Sequence, residues 1–275
     1  MHPEGAVRVT SHHLRYRPDE GRGRADVTSV AHRREYPNPP IAEVICQVAF
    51  AEPVQWSAAS AGLLFGRIRE DYPVEPKTQV AIEAILAGDD GKFQVNRGNQ
   101  RYVYANKEQN RRLVANENTI SVNALPPYEN WNSLSKRFQS ALSIYQEEFG
   151  SFIPATVSLR YINRIVVPGV SVETSEYFNV PVVTTHQPDA RVHGFVSRSQ
   201  SRSPETEIGT TVTFASADGH TVENESAFIL DIDLEIPAPP DATAETLGDL
   251  ASLLHGWENH EFESSIKDKA RDLFA

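Results

Sequence analysis

Residues 155–167, with the sequence A-T-V-S-L-R-Y-I-N-R-I-V-V, decide the fold of this chain because apolar and polar side chains alternate along much of their length. A period of two is typical of a β-strand that buries one of its faces. Residues 228–236, F-I-L-D-I-D-L-E-I, alternate even more strictly, with acids on one side. The sequence therefore predicts two strands, each with one packed face and one polar face.

The polar faces of these two strands carry opposite charges. Arg160 and Arg164 share one face of the first strand, and Asp231 and Asp233 share one face of the second. If both strands belong to the same sheet, these four side chains can lie on a common face and pair across the strands. The alternation alone leaves open whether the two strands are neighbours.

The composition is that of a globular chain with an acidic body. The 275 residues are 40% hydrophobic and 23% charged, which excludes a chain that is disordered throughout. Residues 1–35 hold seven of the 26 Lys and Arg residues and five of the 37 Asp and Glu residues, so residues 36–275 carry 19 bases against 32 acids. Their net charge of −13 disfavours binding to nucleic acid unless the bases cluster in space.

The sequence shows no segment that would direct the chain into or across a membrane. It has no run of about 18 apolar residues and no apolar stretch near residue 1. The single cysteine, Cys46, excludes an internal disulfide and lies in an apolar run that predicts a buried thiol. We therefore expect a cytoplasmic protein with no membrane association.

The chain is predicted to become ordered at residue 36. Residues 1–35 are rich in Arg, His, Gly and Pro without apolar periodicity, which predicts a flexible N-terminal extension. Residues 36–275 are predicted to form a single domain with halves at about 36–150 and 151–275. Each half runs in the order strand, helix, strands, helix, which suggests a structural pseudo-repeat without residue-level identity.

Three amphipathic segments predict helices at residues 57–72, 128–149 and 243–258. Turn-rich pieces separate the remaining strands, with a turn expected at residues 97–99 and one continuous strand over residues 112–122. We predict an α+β fold with a large, mostly antiparallel, curved sheet and the helices on one face. The closest architectures are helix-grip and saddle-like folds.

The sequence lacks the motifs of the common nucleotide-dependent and hydrolytic enzymes: glycine-rich phosphate loops, a nucleophile elbow and the zinc-protease helix motif. Asp231-Ile-Asp233 resembles the carboxylate pair with which some phosphate and nucleotide-sugar enzymes hold Mg²⁺ or Mn²⁺. The plainer interpretation is a solvated strand face. We therefore predict no catalytic residue, no resident metal and no cofactor, with a metal-dependent enzyme using Asp231 and Asp233 as the alternative.

Arg160, Asn163 and Arg164 form a candidate ligand-binding group. Two guanidinium groups on one strand face can clamp a carboxylate or a phosphate. The competing interpretation is that the arginines pair with Asp231 and Asp233.

A second candidate site is an apolar cavity between the helices and the curved sheet. Such cavities are common sites for small molecules, and Trp131, Phe138 and Tyr161 are the candidate lining residues. The competing interpretation is a densely packed interior without a cavity.

Several stretches resemble a family of uncharacterised bacterial proteins of about this length. They are Y-P-N-P-P-I-A-E-V at residues 36–44, L-R-Y-I-N-R-I at 159–165, L-D-I-D-L at 230–234, L-H at 254–255 and F-E-S-S-I at 262–266. The resemblance spans residues 36–275, and L-R-Y-I-N-R-I is its most specific part. It implies a prokaryotic origin, one domain with a single large sheet, and the sporadic inheritance seen among defence, toxin–antitoxin and mobile-element genes.

From these observations we expect a non-catalytic binding or interaction protein. The resemblance narrows this expectation to an accessory or antitoxin-like component of a bacterial defence or mobile-element system. The expected partner is another protein or a second copy of the chain, with a small ligand as a further hypothesis. The resemblance supplies no known catalytic residue.

Overall fold

A nine-stranded antiparallel sheet is the framework of the chain. The computed structural model describes residues 34–87, 92–182, 194–217 and 224–275, with the backbone alone described for Ala58, 81–87 and 92–99. Most of the predicted extension, residues 1–33, lies outside the described residues. The strands are β1 (Ile41–Phe50), β2 (Val74–Ala87), β3 (Lys92–Ala105), β4 (Arg111–Ala115), β5 (Thr119–Ala124), β6 (Pro154–Pro168), β7 (Val196–Arg202), β8 (Gly209–Ser216) and β9 (Glu225–Pro237). Their order across the sheet is β2-β3-β4-β5-β1-β6-β9-β8-β7.

The two alternating stretches form β6 and β9, which are antiparallel neighbours. Leu159 lies opposite Leu234, and Arg160 lies opposite Asp233. On both strands every second side chain is buried, while most of the side chains between them are half-buried or exposed. The prediction of one packed and one polar face is confirmed for both strands.

Helices cover the packed face of the sheet. They are α1 (Ala58–Ile68), α2 (Trp131–Phe149), α3 (Ala244–Ser265) and the short α4 (Asp268–Arg271), with 3₁₀ turns at Thr174–Glu176 and Asp272–Phe274. The α2 helix packs on β5, and α3 packs on β6 and β9. Among the described residues, no helix combines the length and apolar character needed to cross a membrane.

The helix termini explain where the predicted helix boundaries hold and where they do not. The Asn130 side chain accepts a hydrogen bond from the Ser133 N–H and starts α2, and Gly150 ends it with a φ of 81°. The Thr243 side chain caps α3 in the same way, through the Thr246 N–H. The α3 helix continues seven residues beyond the predicted end at residue 258, because Phe262 extends its buried side.

The core lies between the helices and the sheet and forms one cluster. The sheet contributes Val44, Cys46, Val48, Val122, Leu159 and Ile232, and the helices contribute Leu64, Leu134, Phe138, Leu142, Leu247 and Leu254. Cys46 is fully buried, as predicted. Two buried tyrosines satisfy their hydroxyl groups on backbone carbonyls: Tyr104 donates to Ala61 at 3.0 Å and Tyr145 donates to Asn116 at 2.8 Å.

The α2 and α3 helices pack closely at Gly248. A Cβ atom at this position would lie 2.9 Å from Cγ and Cδ of Gln139 on α2, and closer still to its Nε2. Such distances are shorter than real Cβ contacts, so only a residue without a side chain fits unless Gln139 moves.

Two local predictions were wrong. Residues 97–99 do not form a turn: β3 is continuous there, and residues 98 and 99 form a bulge opposite residue 81 of β2. The stretch 112–122 is not one strand, because a turn separates β4 from β5. The side chain of Asn116 stabilises this turn by accepting hydrogen bonds from the backbone N–H groups of Asn118 and Thr119, both at 2.9 Å.

The strand order places the first strand of each half of the chain beside the last strand of the same half. In the first half β1 pairs with β5, and in the second half β6 pairs with β9. The two halves then join where β1 pairs with β6, with Cys46 opposite Leu159 and Ile45 opposite Arg160. The central strands of the sheet therefore come from both halves.

Candidate functional site

The candidate functional site is the face of the sheet opposite the helices, which we call the open face. Its centre carries Glu43, Ile45 and Gln47 of β1, Ser158, Arg160, Ile162 and Arg164 of β6, and Ile229, Asp231, Asp233 and Glu235 of β9. It continues to one edge with Thr211 and Thr213 of β8 and Arg198, Gln200 and Arg202 of β7. Toward the other edge lie Ser121 and Asn123 of β5, Arg112 and Val114 of β4, Arg101 and Val103 of β3, and Lys77 of β2. The open face is thus a mixed charged and apolar surface.

A two-point ion pair lies at the centre of the open face. Arg160 reaches diagonally across to Asp231, with its Nε 2.8 Å from Oδ1 and its Nη2 2.6 Å from Oδ2. The Asp231 side chain is 14% exposed and the Arg160 side chain 42% exposed. A pair of this kind contributes about 0.2–1 kcal/mol, and its parallel hydrogen bonds place it toward the upper end of that range. The pair fixes the position of the Arg160 guanidinium on the face.

Asp233 lies directly opposite Arg160 on one side and opposite Thr211 on the other. Among the described residues, its carboxylate forms neither a hydrogen bond nor an ion pair within 4 Å. The pKa of Asp233 is raised from 3.8 to about 6, chiefly by burial; the nearby acids Asp231 and Glu235 also raise it, and Arg160 and Arg198 oppose the rise. At neutral pH Asp233 is therefore a charged group that has lost part of its water.

A second ion pair lies near the β7 edge of the open face. Arg202 contacts Glu235 at 2.5 Å and donates a hydrogen bond to the Glu207 carbonyl at 2.7 Å. Gly209 lies beneath the pair, and a Cβ atom there would be 3.0 Å from Cγ of Glu235. Beside this pair is an open cavity of about 380 Å³, lined by Gln200, Ser201, Arg202, Gly209, Thr210, Thr211, Asp233 and Glu235. Asp233 is thus accessible from this cavity.

On the other side of β6, a polar network lies on the open face, and its β5 members, Ser121 and Asn123, are buried. The Asn123 side chain donates to Glu43 Oε1 at 2.8 Å, and Ser121 donates to Asn123 Oδ1 at 3.1 Å. Arg112 lies opposite Asn123 on the next strand and is half-buried. Within the described part of the chain Arg112 forms no ion pair.

The structure separates the predicted group of Arg160, Asn163 and Arg164. Asn163 is 2% exposed on the helix-covered face, where its side chain donates to the Leu230 carbonyl at 3.2 Å. Arg164 is exposed on the open face opposite Ile229 and has no ion pair among the described residues. Asn163 therefore cannot share a ligand with the two arginines, and only Arg160 takes part in the expected pairing with the acids of β9.

The candidate cavity residues Trp131, Phe138 and Tyr161 are all buried in the core. The Trp131 ring stacks on His255 with centroids 4.4 Å apart, and the Tyr161 hydroxyl lies 3.2 Å from both His255 Nδ1 and the Tyr128 hydroxyl. Burial raises the pKa of Tyr161 well above its ordinary value. A second, shallow cavity is lined by Glu176, Asn179, Ile266, Lys267, Asp268, Lys269 and Arg271. Neither this cavity nor the one on the open face is lined by Trp131, Phe138 or Tyr161.

The Asp231-Ile-Asp233 motif does not form a metal site on its own. Both oxygens of Asp231 are occupied by Arg160. In the part of the chain that the structure describes, no three side chains of His, Cys, Asp or Glu are grouped so that they could hold a metal ion. The geometry therefore favours a charged protein surface over a cation site here.

Sequence reasoning missed three arginines of the open face: Arg112, Arg198 and Arg202. A signal was present for the last two, because V-S-R-S-Q-S-R at residues 196–202 places both arginines on the same side of a strand. The strand register then puts Arg198 opposite Thr213 and close enough to lower the pKa of Asp233.

Comparison with known proteins adds no further information on the site. No protein-family model and no curated protein matches the chain. The resemblance to the bacterial family therefore stays a prediction.

Proposed function

We propose that this chain is a non-catalytic binding protein that docks a protein partner on its open face. The face places half-buried Ile45, Ile162 and Ile229 among arginines, and protein interfaces favour this mixture of apolar and Arg side chains. Nine strands at about 4.8 Å spacing make the face roughly 38 Å wide, so covering about 20 Å along the strands gives the ~800 Å² of a standard interface.

The observation that carries this proposal is the presence of unpaired arginines beside the half-buried isoleucines. Arg164 and Arg198 are exposed on the open face and form no ion pair among the described residues. The neighbouring Arg160 is already held in place by Asp231. Dehydration and ordering of charged side chains are major costs of association. Because the Arg160 side chain is already ordered before a partner binds, the open face loses less free energy on binding.

The finer form of the proposal is an accessory or antitoxin-like protein of a bacterial defence or mobile-element system. What supports it is the resemblance of residues 36–275 to a sporadically inherited family. A component of this kind needs an exposed surface of about standard interface size for its partner, and the open face offers that area.

The two alternative functions are less well supported. A metal-dependent enzyme would need Asp231 as a ligand, but Arg160 engages both of its oxygens. A small-molecule site at Trp131 and Tyr161 would have to displace the ring of His255 that packs against both side chains.

Site-specific photocrosslinking in cells that carry the natural gene neighbourhood tests the proposal. One variant carries a photoreactive benzophenone side chain in place of Thr213 on the open face. The matched control carries it in place of Ser140, which lies on the exposed side of α2. We expect a discrete protein adduct from position 213 that is absent from position 140. The double substitution Arg164→Glu/Arg198→Glu should abolish that adduct while the protein stays folded. Identical adducts from both positions, or none from either, would refute the proposal.

A further inference from the structure

Charge is distributed unevenly between the open face and the rest of the chain. The described side chains at paired positions of the open face include seven bases, Lys77, Arg101, Arg112, Arg160, Arg164, Arg198 and Arg202, and five acids, Glu43, Glu225, Asp231, Asp233 and Glu235. These positions thus have a net charge of +2, whereas residues 36–275 have 19 bases and 32 acids in total. The remainder of the body therefore carries 12 bases and 27 acids.

We infer that the partner presents an acidic, partly apolar polypeptide surface to the open face; this inference rests on the docking function proposed above. A cationic face on a strongly acidic protein is electrostatically complementary to acids, and such complementarity steers association and excludes wrong partners. The helix layer, about 10 Å thick, separates the open face from acids on the far side of the molecule by about one Debye length at physiological salt.

Arg164 and Arg198 are the principal contacts for the partner's carboxylates. Both are exposed, and neither forms an ion pair within the described part of the chain. Arg164 is on β6 and Arg198 on β7, three strand spacings away, so their Cα atoms are roughly 15 Å apart. An extended segment spans that distance in about four or five residues. The strand register places Ile229 and Ala215 between the two arginines, so apolar side chains between two such acids would lie over these residues.

The same surface fits nucleic acid less well. The open face has no aromatic side chain among its described residues, since Tyr102 and Tyr104 point to the helix-covered side. Stacking on aromatic rings is the usual source of affinity for single strands. Half-buried isoleucines at the centre of the face offer little to sugar and phosphate.

A second copy of the chain is also a poorer occupant. Two open faces would repel each other through their equal charges. An open face placed against the acidic remainder of another copy makes a head-to-tail contact, which grows into an open assembly unless the rotation closes.

Fluorescence anisotropy with synthetic probes tests the acidic partner directly. The probes are fluorescein-labelled poly-L-glutamate of about 20 residues and a labelled thymidine oligonucleotide of equal length, at low salt, where the Debye length is roughly 20–30 Å. We expect poly-L-glutamate to bind more tightly than the oligonucleotide. The variant Arg164→Glu/Arg198→Glu should weaken poly-L-glutamate binding by about tenfold or more.

The matched control is Arg69→Glu/Lys136→Glu, which changes the net charge by the same amount. Both residues are exposed near the helices, away from the open face, and neither forms an ion pair among the described residues. The titrations are repeated at about 0.15 M salt, where the Debye length is about 8 Å and only nearby charges act on the probe. Under these conditions the control should change poly-L-glutamate binding by less than about twofold. Equal losses in both double variants would overturn the inference.

Three other outcomes also overturn the acidic partner. The first is tighter binding of the oligonucleotide than of poly-L-glutamate, and the second is no binding of poly-L-glutamate. The third is a molar mass in light scattering that rises with protein concentration, which would show that a second copy of the chain occupies the open face. A photocrosslinked partner with a neutral or basic contact surface would overturn the inference but leave the docking function intact. Absence of any partner adduct from position 213 would instead overturn the docking function itself.

Discussion

The variant Asp233→Asn should be more stable than the wild-type protein at pH 8, and its advantage should shrink as the pH falls toward 4. The pKa of Asp233 is raised from 3.8 to about 6 in the folded protein, chiefly by burial. Between these two values the folded state binds more protons than the unfolded state, so wild-type stability falls as pH rises through that window. An Asn side chain has no proton to lose and escapes this penalty.

The size of the gain follows from the pKa shift. About two pH units correspond to roughly 3 kcal/mol at 1.36 kcal/mol per unit, and partial exposure of the side chain reduces this to about 1–2 kcal/mol. Urea denaturation at half-unit pH intervals from 4 to 8 measures the free energy of unfolding of both proteins. The exposed Asp241→Asn is the control and should change stability by less than about 0.5 kcal/mol. A loss at pH 8, or a gain that is the same at pH 4 and pH 8, would contradict the reasoning.

Two further predictions concern stability. A double-mutant cycle on Arg160→Gln and Asp231→Asn should give a coupling free energy of about 0.5–1 kcal/mol in urea denaturation, because the pair is bidentate but partly exposed; additivity within about 0.3 kcal/mol would show that the pair contributes nothing. The Gly248→Ala substitution should destabilise the protein by about 0.5–2 kcal/mol, because the clash of the new Cβ with Gln139 outweighs the roughly 0.8–1 kcal/mol that Ala gains over Gly within a helix, and Gln139→Ala in the same chain should restore most of the loss. Thermal denaturation checks this, and no recovery in the double variant would mean that Gln139 is not the obstacle.

The sequence predicted the centre of the sheet well because burial there depends on one local property. Strict alternation in residues 228–236 and near-alternation in 155–167 located β9 and β6 within three residues at each end. The errors occurred where a tertiary contact outweighs local preference. Residues 97–99 have the composition of a turn, but pairing with β2 keeps them within a strand as a bulge. Conversely, the turn after β4 depends on the Asn116 side chain, which interrupts an otherwise strand-like stretch.

The candidate site was only partly predictable for a related reason. The sequence shows which charges share a face of one strand, so Arg160, Arg164, Asp231 and Asp233 were found. It does not show the register between strands, and among the described residues the register decides that Arg160 has an ion-pair partner while Arg164 has none. Arg198 enters the site only because β8 lies between β9 and β7. Ionic partners depend on these non-local pairings.

The pairing of β1 with β6 has a consequence for synthesis of the protein. Residues 41–50 leave the ribosome long before residues 154–168, so one edge of β1 has no neighbour while the chain is still growing. An unpaired strand edge beside apolar side chains invites pairing with another nascent chain. Products of interrupted translation that end within α2 keep this edge open permanently. Completing β6 covers this edge of β1 but leaves the other edge of β6 open until β9 is made, so the aggregation hazard is concentrated in chains that end before β9.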